Sequence, residues 1–199
     1  MQQIALYLAS GSPRRREILQ QIGINFAVIK PSVVEQCGVG ELPAAYVQRL
    51  AQDKARAGWA QLPLDGPRAP VLGADTIGIV DGQLLEKPRD QAHGAQLLRL
   101  MSGREHRVLT AVAITDGQTE QVITSETRVC FRPLSEEEIT AYWHTGEPQD
   151  KAGGYAIQGL GAVFVREIHG SYSNVVGLPI EATVALLAAY NVPWWQTLS

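Results

Sequence analysis

The sequence predicts an α/β fold, a mixed twisted sheet with flanking helices, and three observations predict it. Short apolar runs of strand length recur along the chain. Longer stretches with helical periodicity fall between them, so strands mix with helices throughout. Asp81-Gly82 is a two-residue hairpin signal and calls for an antiparallel pair. The 199 residues suit one domain, 1–199. A chain of this size buries roughly 70% of its unfolded surface and needs neither disulfide nor metal to fold.

Each element has a local cause. Ile4 to Ala9 is an apolar run ending in Ser10-Gly11-Ser12-Pro13, a buried strand that leads into a helix. Ser12 suits the N-cap, Pro13 suits the first helical position, and the helix runs from about Arg14 to Ile22 and stops near Gly23. Phe26 to Ile29 is a second strand, and residues 30–43 read as loop. Ala44 to about Trp59 is helical, with Val47, Leu50, Ala51 and Ala55 on its apolar face. Residues 62–70, rich in proline, read as a surface loop. Val71 to Val80 is a strand interrupted by Gly73-Ala74-Asp75-Thr76, and the chain returns after Asp81-Gly82 through Gln83 to Glu86. Asp90 caps a helix to about Met101. Strands Val108–Thr115 and Val122–Phe131 follow, joined near Asp116-Gly117. Ser135-Glu136-Glu137-Glu138 is a capping box. Residues 145–162 are glycine-rich, Ala162–Ile168 is a strand, and the last helix runs from about Pro179 to Tyr190.

Composition excludes several classes. A net charge of −3 argues against a broad nucleic-acid footprint. No run of about 18 apolar residues can span a membrane, and no signal segment opens the chain. Cys37 and Cys130 read as small apolar fillers with reduced thiols, so the expected compartment is the cytoplasm. His93, His106, His144 and His169 show no metal-ligand spacing, and the sequence has no Cys-x-x-Cys pair, P-loop or Gly-x-Ser-x-Gly elbow. That argues against zinc hydrolases, kinases and serine esterases.

The residues with chemical potential lie elsewhere. Arg14, Arg15 and Arg16 crowd the first turn of a helix, where the partial positive charge of the N-terminus disfavours cations. A docked phosphate reverses that penalty, whereas a solvated basic turn would look the same in sequence. Helical geometry turns Arg14 and Arg15 inward and Arg16 to solvent. Asp75 is a carboxylate in or at the end of a buried strand, which is costly unless it is paired, holds a metal or takes a proton. Gly73 and Ala74 leave room beside it for close approach of a ligand. Lys54 lies near an apolar stripe and either snorkels or puts its tip in a phosphate pocket. Lys87 precedes Pro88 and is held extended as a cation at the rim of a cleft, or is a simple turn residue. The loop Asp150-Lys151-Ala152-Gly153-Gly154-Tyr155-Ala156-Ile157-Gln158-Gly159 could wrap a base or ribose, with Gln158 reading a base edge. Gly170-Ser171-Tyr172-Ser173-Asn174 could add polar contacts.

Taken together, these segments resemble one family. Leu8-Ala9-Ser10-Gly11-Ser12-Pro13-Arg14-Arg15 is similar to the opening signature of the Maf proteins. Gly73-Ala74-Asp75-Thr76, Glu86-Lys87-Pro88-Arg89, Asp150-Lys151-Ala152-Gly153-Gly154-Tyr155, and Gly170-Ser171-Tyr172 with Gly177-Leu178-Pro179 resemble its later motifs in the same order. The resemblance implies the elongated fold shared with inosine-triphosphate pyrophosphatases, two lobes around a cleft. It implies hydrolysis of a nucleoside triphosphate between the α- and β-phosphates, dependent on a divalent metal such as Mg²⁺ or Mn²⁺. It maps the general base onto Asp75. It maps substrate choice onto Arg14, Thr76 and Gln158, the set of the subgroup acting on dTTP and UTP rather than on 7-methyl-GTP. Ser10, Arg15, Lys54 and Lys87 are then the phosphate-binding set and Glu35 a metal ligand. The family often has a second acid before Glu35; here it is Val34, so Glu35 alone is left in that loop to help hold a metal. A homodimer is the family's expected assembly, and Pro193-Trp194-Trp195 is a hint of a contact.

Two other functions fit the same residues. A nucleotide-binding regulator of septum formation needs the cleft but has no use for Asp75, which repels polyphosphate. An enzyme that clears damaged purine nucleotides, as the related fold does, is the other; Gln158 with Thr76 favours a pyrimidine only through the family resemblance. An ordinary aspartate is a poor base near neutrality, so either burial raises its pKa or a metal acidifies the water and Asp75 orients it.

Overall fold

A computed structural model of the chain describes residues 4–63 and 68–196. Seven strands form one sheet: β1 (Leu6–Ala9), β2 (Phe26–Ile29), β3 (Val71–Val80), β4 (Gln83–Leu85), β5 (Glu105–Thr115), β6 (Glu120–Phe131) and β7 (Val165–His169). Their order is β2-β1-β3-β5-β6-β7, with β4 paired to β3. β1 runs parallel to β2 and β3, while β3–β4 and β6–β7 are antiparallel, so the sheet is mixed as predicted. Six helices accompany it: α1 (Pro13–Gln21), α2 (Pro43–Ala60), α3 (Gln91–Met101), α4 (Glu136–His144), α5 (Tyr172–Val176) and α6 (Ile180–Ala189).

The local signals work where their chemistry is short-range. Ser12 caps α1 with Pro13 in its first turn, Asp90 caps α3, and Ser135 with Glu138 closes a complete capping box on α4. Two expectations need correction, and one helix went unread. β3 is unbroken, because a strand's ladder is made by backbone groups and Gly73-Ala74-Asp75-Thr76 keeps them extended. β7 starts at Val165, after a 3₁₀ segment Leu160–Phe164 that takes the place of the predicted strand's first residues. The five-residue α5 is capped by Ser171, which accepts from the Asn174 amide at 3.3 Å, but it is too short to show helical periodicity in the sequence. Of the predicted loop 62–70, residues 64–67 lie outside the described residues.

The chain divides into two compact units. The first comprises residues up to Asp75, Thr110–Ser125 and those from Gly177 onward. Leu6, Leu8, Leu19, Ile24, Leu50, Leu72, Ile114, Leu178, Leu186 and Leu187 are its fully buried large side chains. The second comprises Thr76–Leu109 and Glu126–Val176, with a core of Val80, Leu85, Leu97, Leu98, Met101, Val108, Val129, Phe131, Ile139, Tyr142, Tyr155 and Phe164.

Within the first unit, α2 is held to the edge of β6 by one stripe of side chains. Gln48 donates to Thr124 at 2.9 Å, Gln52 to Glu120 at 2.6 Å, and Arg56 makes a forked pair with Glu120 at 2.7 Å. Its buried stripe, Val47, Leu50, Ala51, Ala55 and Gly58, faces the core, as its periodicity requires. A Cβ on Gly73 of β3 would stand 2.3 Å from the Ala51 carbonyl oxygen and 2.5 Å from the Ala55 nitrogen. Gly73 therefore makes room for a helix, not for a ligand as the sequence suggests. Side chains two apart on a strand share a face, so Asp75 points the same way as Gly73, toward α2.

Candidate active site

The opening loop is wired from its own side chains. Ser10, buried after β1, accepts from the Ser12 amide at 3.2 Å and from an Arg15 terminal nitrogen at 3.2 Å. Arg15 is buried too, and its Nε donates to the Gly177 carbonyl at 2.8 Å. Burial pulls its guanidinium below the ordinary arginine value, the Asp75 charge pulls back, and Arg14 adds to the depression. Arg14 is half-buried and Arg16 exposed, the order helical geometry dictates. Arg15 thus ties α1 to the turn before α6 and sets a cation within the field of Asp75 and Glu35.

The first unit holds a three-charge cluster. Lys54 Nζ lies 2.6 Å from Asp75 Oδ1 and 2.6 Å from Glu35 Oε1. The Lys54 and Asp75 side chains are 12% and 10% exposed, against 46% for Glu35. The tight helix–strand contact at Gly73 makes this geometry: Lys54 precedes Ala55 on α2 and Asp75 lies two residues along β3. Lys54 therefore does not snorkel to solvent; its ammonium bridges two carboxylates. Burial and the charges of Asp75 and Glu35 raise the pKa of the Tyr46 hydroxyl, which places this ring in the cluster's field.

Glu35 reaches Lys54 because its loop is fastened to α2. Arg49 forks onto Glu41 at 2.7 Å with both nitrogens and donates to the Gln36 carbonyl at 3.0 Å, while Glu41 accepts from the Gly38 amide at 2.8 Å. The hydrogen bonds from Arg49, then from Gly38, lower the Glu41 carboxyl to about 2. Val34, where the second loop acid was missing, is 77% exposed, and the partner carboxylate comes from Asp75 instead. Cys37 is exposed, so it is no core filler. Neither Tyr46 nor the Glu41–Arg49 fork has a spacing that marks it in the sequence.

The second unit holds Thr76, Lys87 and Gln158. Thr76 follows Asp75 on β3 and is half-buried; Lys87 and Gln158 are exposed. The glycine-rich loop is seated on the Lys87 segment. The Gly153 amide donates to the Glu86 carbonyl at 3.0 Å, and Gly153 holds a positive φ of 73° that favours glycine. Tyr155, the one aromatic ring of this loop, belongs to the core of the unit. It is buried, its hydroxyl lies 2.8 Å from His106 Nε2, and its ring packs edge-on against Phe131. Burial lowers His106 to about 4. Beyond Gln158, Glu147 accepts from the Leu160 and Gly161 amides at 2.9 Å each and from the Tyr142 hydroxyl at 2.6 Å. Burial pushes its pKa upward, but those hydrogen bonds win and hold it below the ordinary value. Asn174 is fully buried and donates to Val108 O and Thr127 Oγ1 at 3.0 Å, so it joins strands of the unit.

One family's sequence profile, described as Maf-like protein, matches residues 5–190. The chain belongs to the Maf-like family. A Maf-like relative named dTTP/UTP pyrophosphatase from Saccharophagus degradans is 56% identical over 195 residues, 98% of this chain and 92% of the relative. Relatives of the same name from Salmonella typhimurium and Yersinia pestis are 53% and 55% identical, each over 94% of this chain and 93% of their own length. In this Maf-like chain the predicted Ser10, Arg15, Glu35, Lys54 and Asp75 all fall in the first unit, and the last three touch. No described helix is long and apolar enough to cross a membrane.

Proposed function

We propose that this Maf-like chain hydrolyses dTTP and UTP to the nucleoside monophosphate and pyrophosphate. The observation that carries the reading is the Asp75–Lys54–Glu35 cluster, charged groups held in place by a helix–strand contact, in a chain whose relatives are named for that reaction. A water oxygen forms a bond to the α-phosphorus as the bond to the bridging α–β oxygen breaks. The water's proton passes to the Asp75 carboxylate, and pyrophosphate takes the electron pair. Lys54, Arg15, Arg14 and Lys87 balance the charge of the phosphates, with Ser10 donating its hydroxyl. Thr76 and Gln158, with Arg14, set the choice of a pyrimidine. Both Gln158 groups, amide N–H and carbonyl, match the alternating donors and acceptors of a base edge.

The residues fit a divalent metal. Asp75 Oδ1 and Glu35 Oε1 converge on one cationic point, the Lys54 ammonium, at the same 2.6 Å. Two carboxylate oxygens around one position are what Mg²⁺ or Mn²⁺ needs from a protein that leaves its other ligands to phosphate and water. When bound, the ion supplies charge neutralisation and acidifies water. Glu35 and Asp75 would hold it, and Lys54 would then be free to contact a phosphate. The two free thiols, Cys37 and Cys130, support a reducing compartment, the cytoplasm.

The test is pyrophosphate release from a panel of nucleoside triphosphates with Mg²⁺ or Mn²⁺. Wild type turns over dTTP and UTP, and Asp75→Asn loses roughly 10²–10⁴-fold, the usual worth of a general base. Retention of most turnover by Asp75→Asn at saturating metal overturns the assignment of the base. Turnover of a purine nucleotide alone overturns the specificity.

A further inference from the structure

On the second unit, three strands that adjoin in the sheet bring together three residues far apart in sequence. Glu105 begins β5, Cys130 lies on β6 and His169 ends β7. One ligand atom from each lies within 4.8 Å of the others. The register explains the meeting. Arg128 stands opposite His169 and Cys130 opposite Glu167, so Cys130 and His169 are diagonal neighbours on one face. Cys130 Sγ is 3.7 Å from Glu105 Oε2. Zinc bonds of about 2.3 Å to sulfur and about 2.0 Å to oxygen at a tetrahedral angle put those two atoms roughly 3.5 Å apart, so the pair already has ligand–ligand spacing.

We propose that Glu105, Cys130 and His169 form a zinc-binding site that plays no part in the nucleotide chemistry assigned above. A thiolate, an imidazole and a carboxylate select a borderline-soft ion such as Zn²⁺ and not Mg²⁺, which wants oxygen alone. Three protein ligands leave a fourth position for water. Glu167 Oε1 lies 3.3 Å from His169 Nε2, the acidic neighbour that orients a metal-binding imidazole. Arg128, 3.5 Å from Glu105 Oε2 with a side chain 53% exposed, swings into solvent as the ion enters. Binding forms the metal–sulfur bond and releases the Cys130 thiol proton to solvent.

Cobalt(II) reports on such a site, since a thiolate ligand gives a near-ultraviolet charge-transfer band that an all-oxygen site lacks. The experiment uses the full chain with Cys37→Ser, so that Cys130 is its one thiol. One equivalent of Co²⁺ produces the band, Zn²⁺ abolishes it, and excess Mg²⁺ does not. Adding Cys130→Ser removes the band. His169→Ala, at an exposed position, lowers Co²⁺ affinity 10–100-fold and keeps the proposal testable if Cys130→Ser fails to fold. The absence of a band in the Cys37→Ser chain, its survival in Cys130→Ser, or unchanged affinity in His169→Ala overturns the site.

Discussion

Gly73→Ala tests whether a close backbone contact builds the Asp75–Lys54–Glu35 cluster. The added methyl would lie 2.3 Å from the Ala51 oxygen and 2.5 Å from the Ala55 nitrogen, both backbone atoms of α2 that no rotamer change can move. Relief requires the helix to retreat by roughly 1 Å, and such overpacking costs about 1–3 kcal/mol or somewhat more. For a chain of 199 residues that lowers the melting temperature by about 2–12 °C. The retreating segment carries Lys54, so the 2.6 Å contact to Asp75 opens with it. Misplacement of a catalytic group by about 1 Å costs on the order of 10²-fold in turnover. Gly58→Ala is the control: its Cβ would meet Ala9 Cβ and Val71 Cγ1 at 2.9 Å, a milder overlap than the 2.3 Å at Gly73. The assays are thermal unfolding and kcat/KM measured well below the melting temperature. A Gly73→Ala chain with wild-type stability and turnover refutes the argument. So does a Gly58→Ala chain that loses as much activity.

Other perturbations reach different parts of the molecule. Lys54→Met leaves the buried Asp75 without its counter-charge and should lower unfolding stability by about 3 kcal/mol, read by denaturant titration, with partial recovery on adding Mg²⁺. His106 is held neutral by burial, with its folded-state value near 4. The unfolded chain binds the extra proton first, so stability contributed by neutral His106 is complete above about pH 6.5 and is lost as pH falls toward 4. The loss is about 3 kcal/mol across that window, and the pH profile of His106→Gln should lack it. Glu147→Ala frees the Leu160 and Gly161 amides and should raise KM for dTTP several-fold with kcat little changed, as the loop carrying Gln158 loosens.

The sequence displayed best what short-range chemistry determines. Ser12, Asp90 and Ser135 announce helix starts because the cap and its helix are neighbours in the chain. Arg15 buried, Arg14 half-buried and Arg16 exposed follow from the helical turn alone. The misreadings come from tertiary partners that no window contains. Gly73 next to an aspartate suggests space for a ligand until α2 is seen to fill it. The loop around Tyr155 reads as one that could wrap a base or ribose, yet its aromatic ring is closed in by His106 and Phe131. The histidines lack metal spacing along the chain, yet His169 meets Glu105 and Cys130 because sheet order makes β5, β6 and β7 neighbours. Residue roles in the active site came through the family resemblance. The residues by themselves left a solvated basic turn and a snorkelling lysine equally open.

The Arg49–Glu41 fork gives the loop that carries Glu35 a latch with a particular temper. Arg49 is 40% exposed, so dissolved ions reach this pair and weaken its hold within a Debye length of about 8 Å at physiological salt. Acid hardly touches it, since the Glu41 carboxyl stays ionised down to about pH 2. Ionic strength, more than pH, then governs how firmly the second carboxylate is presented to Lys54 and Asp75. High salt should let the segment around Gln36 and Gly38 exchange its amides sooner than the helix it is clipped to.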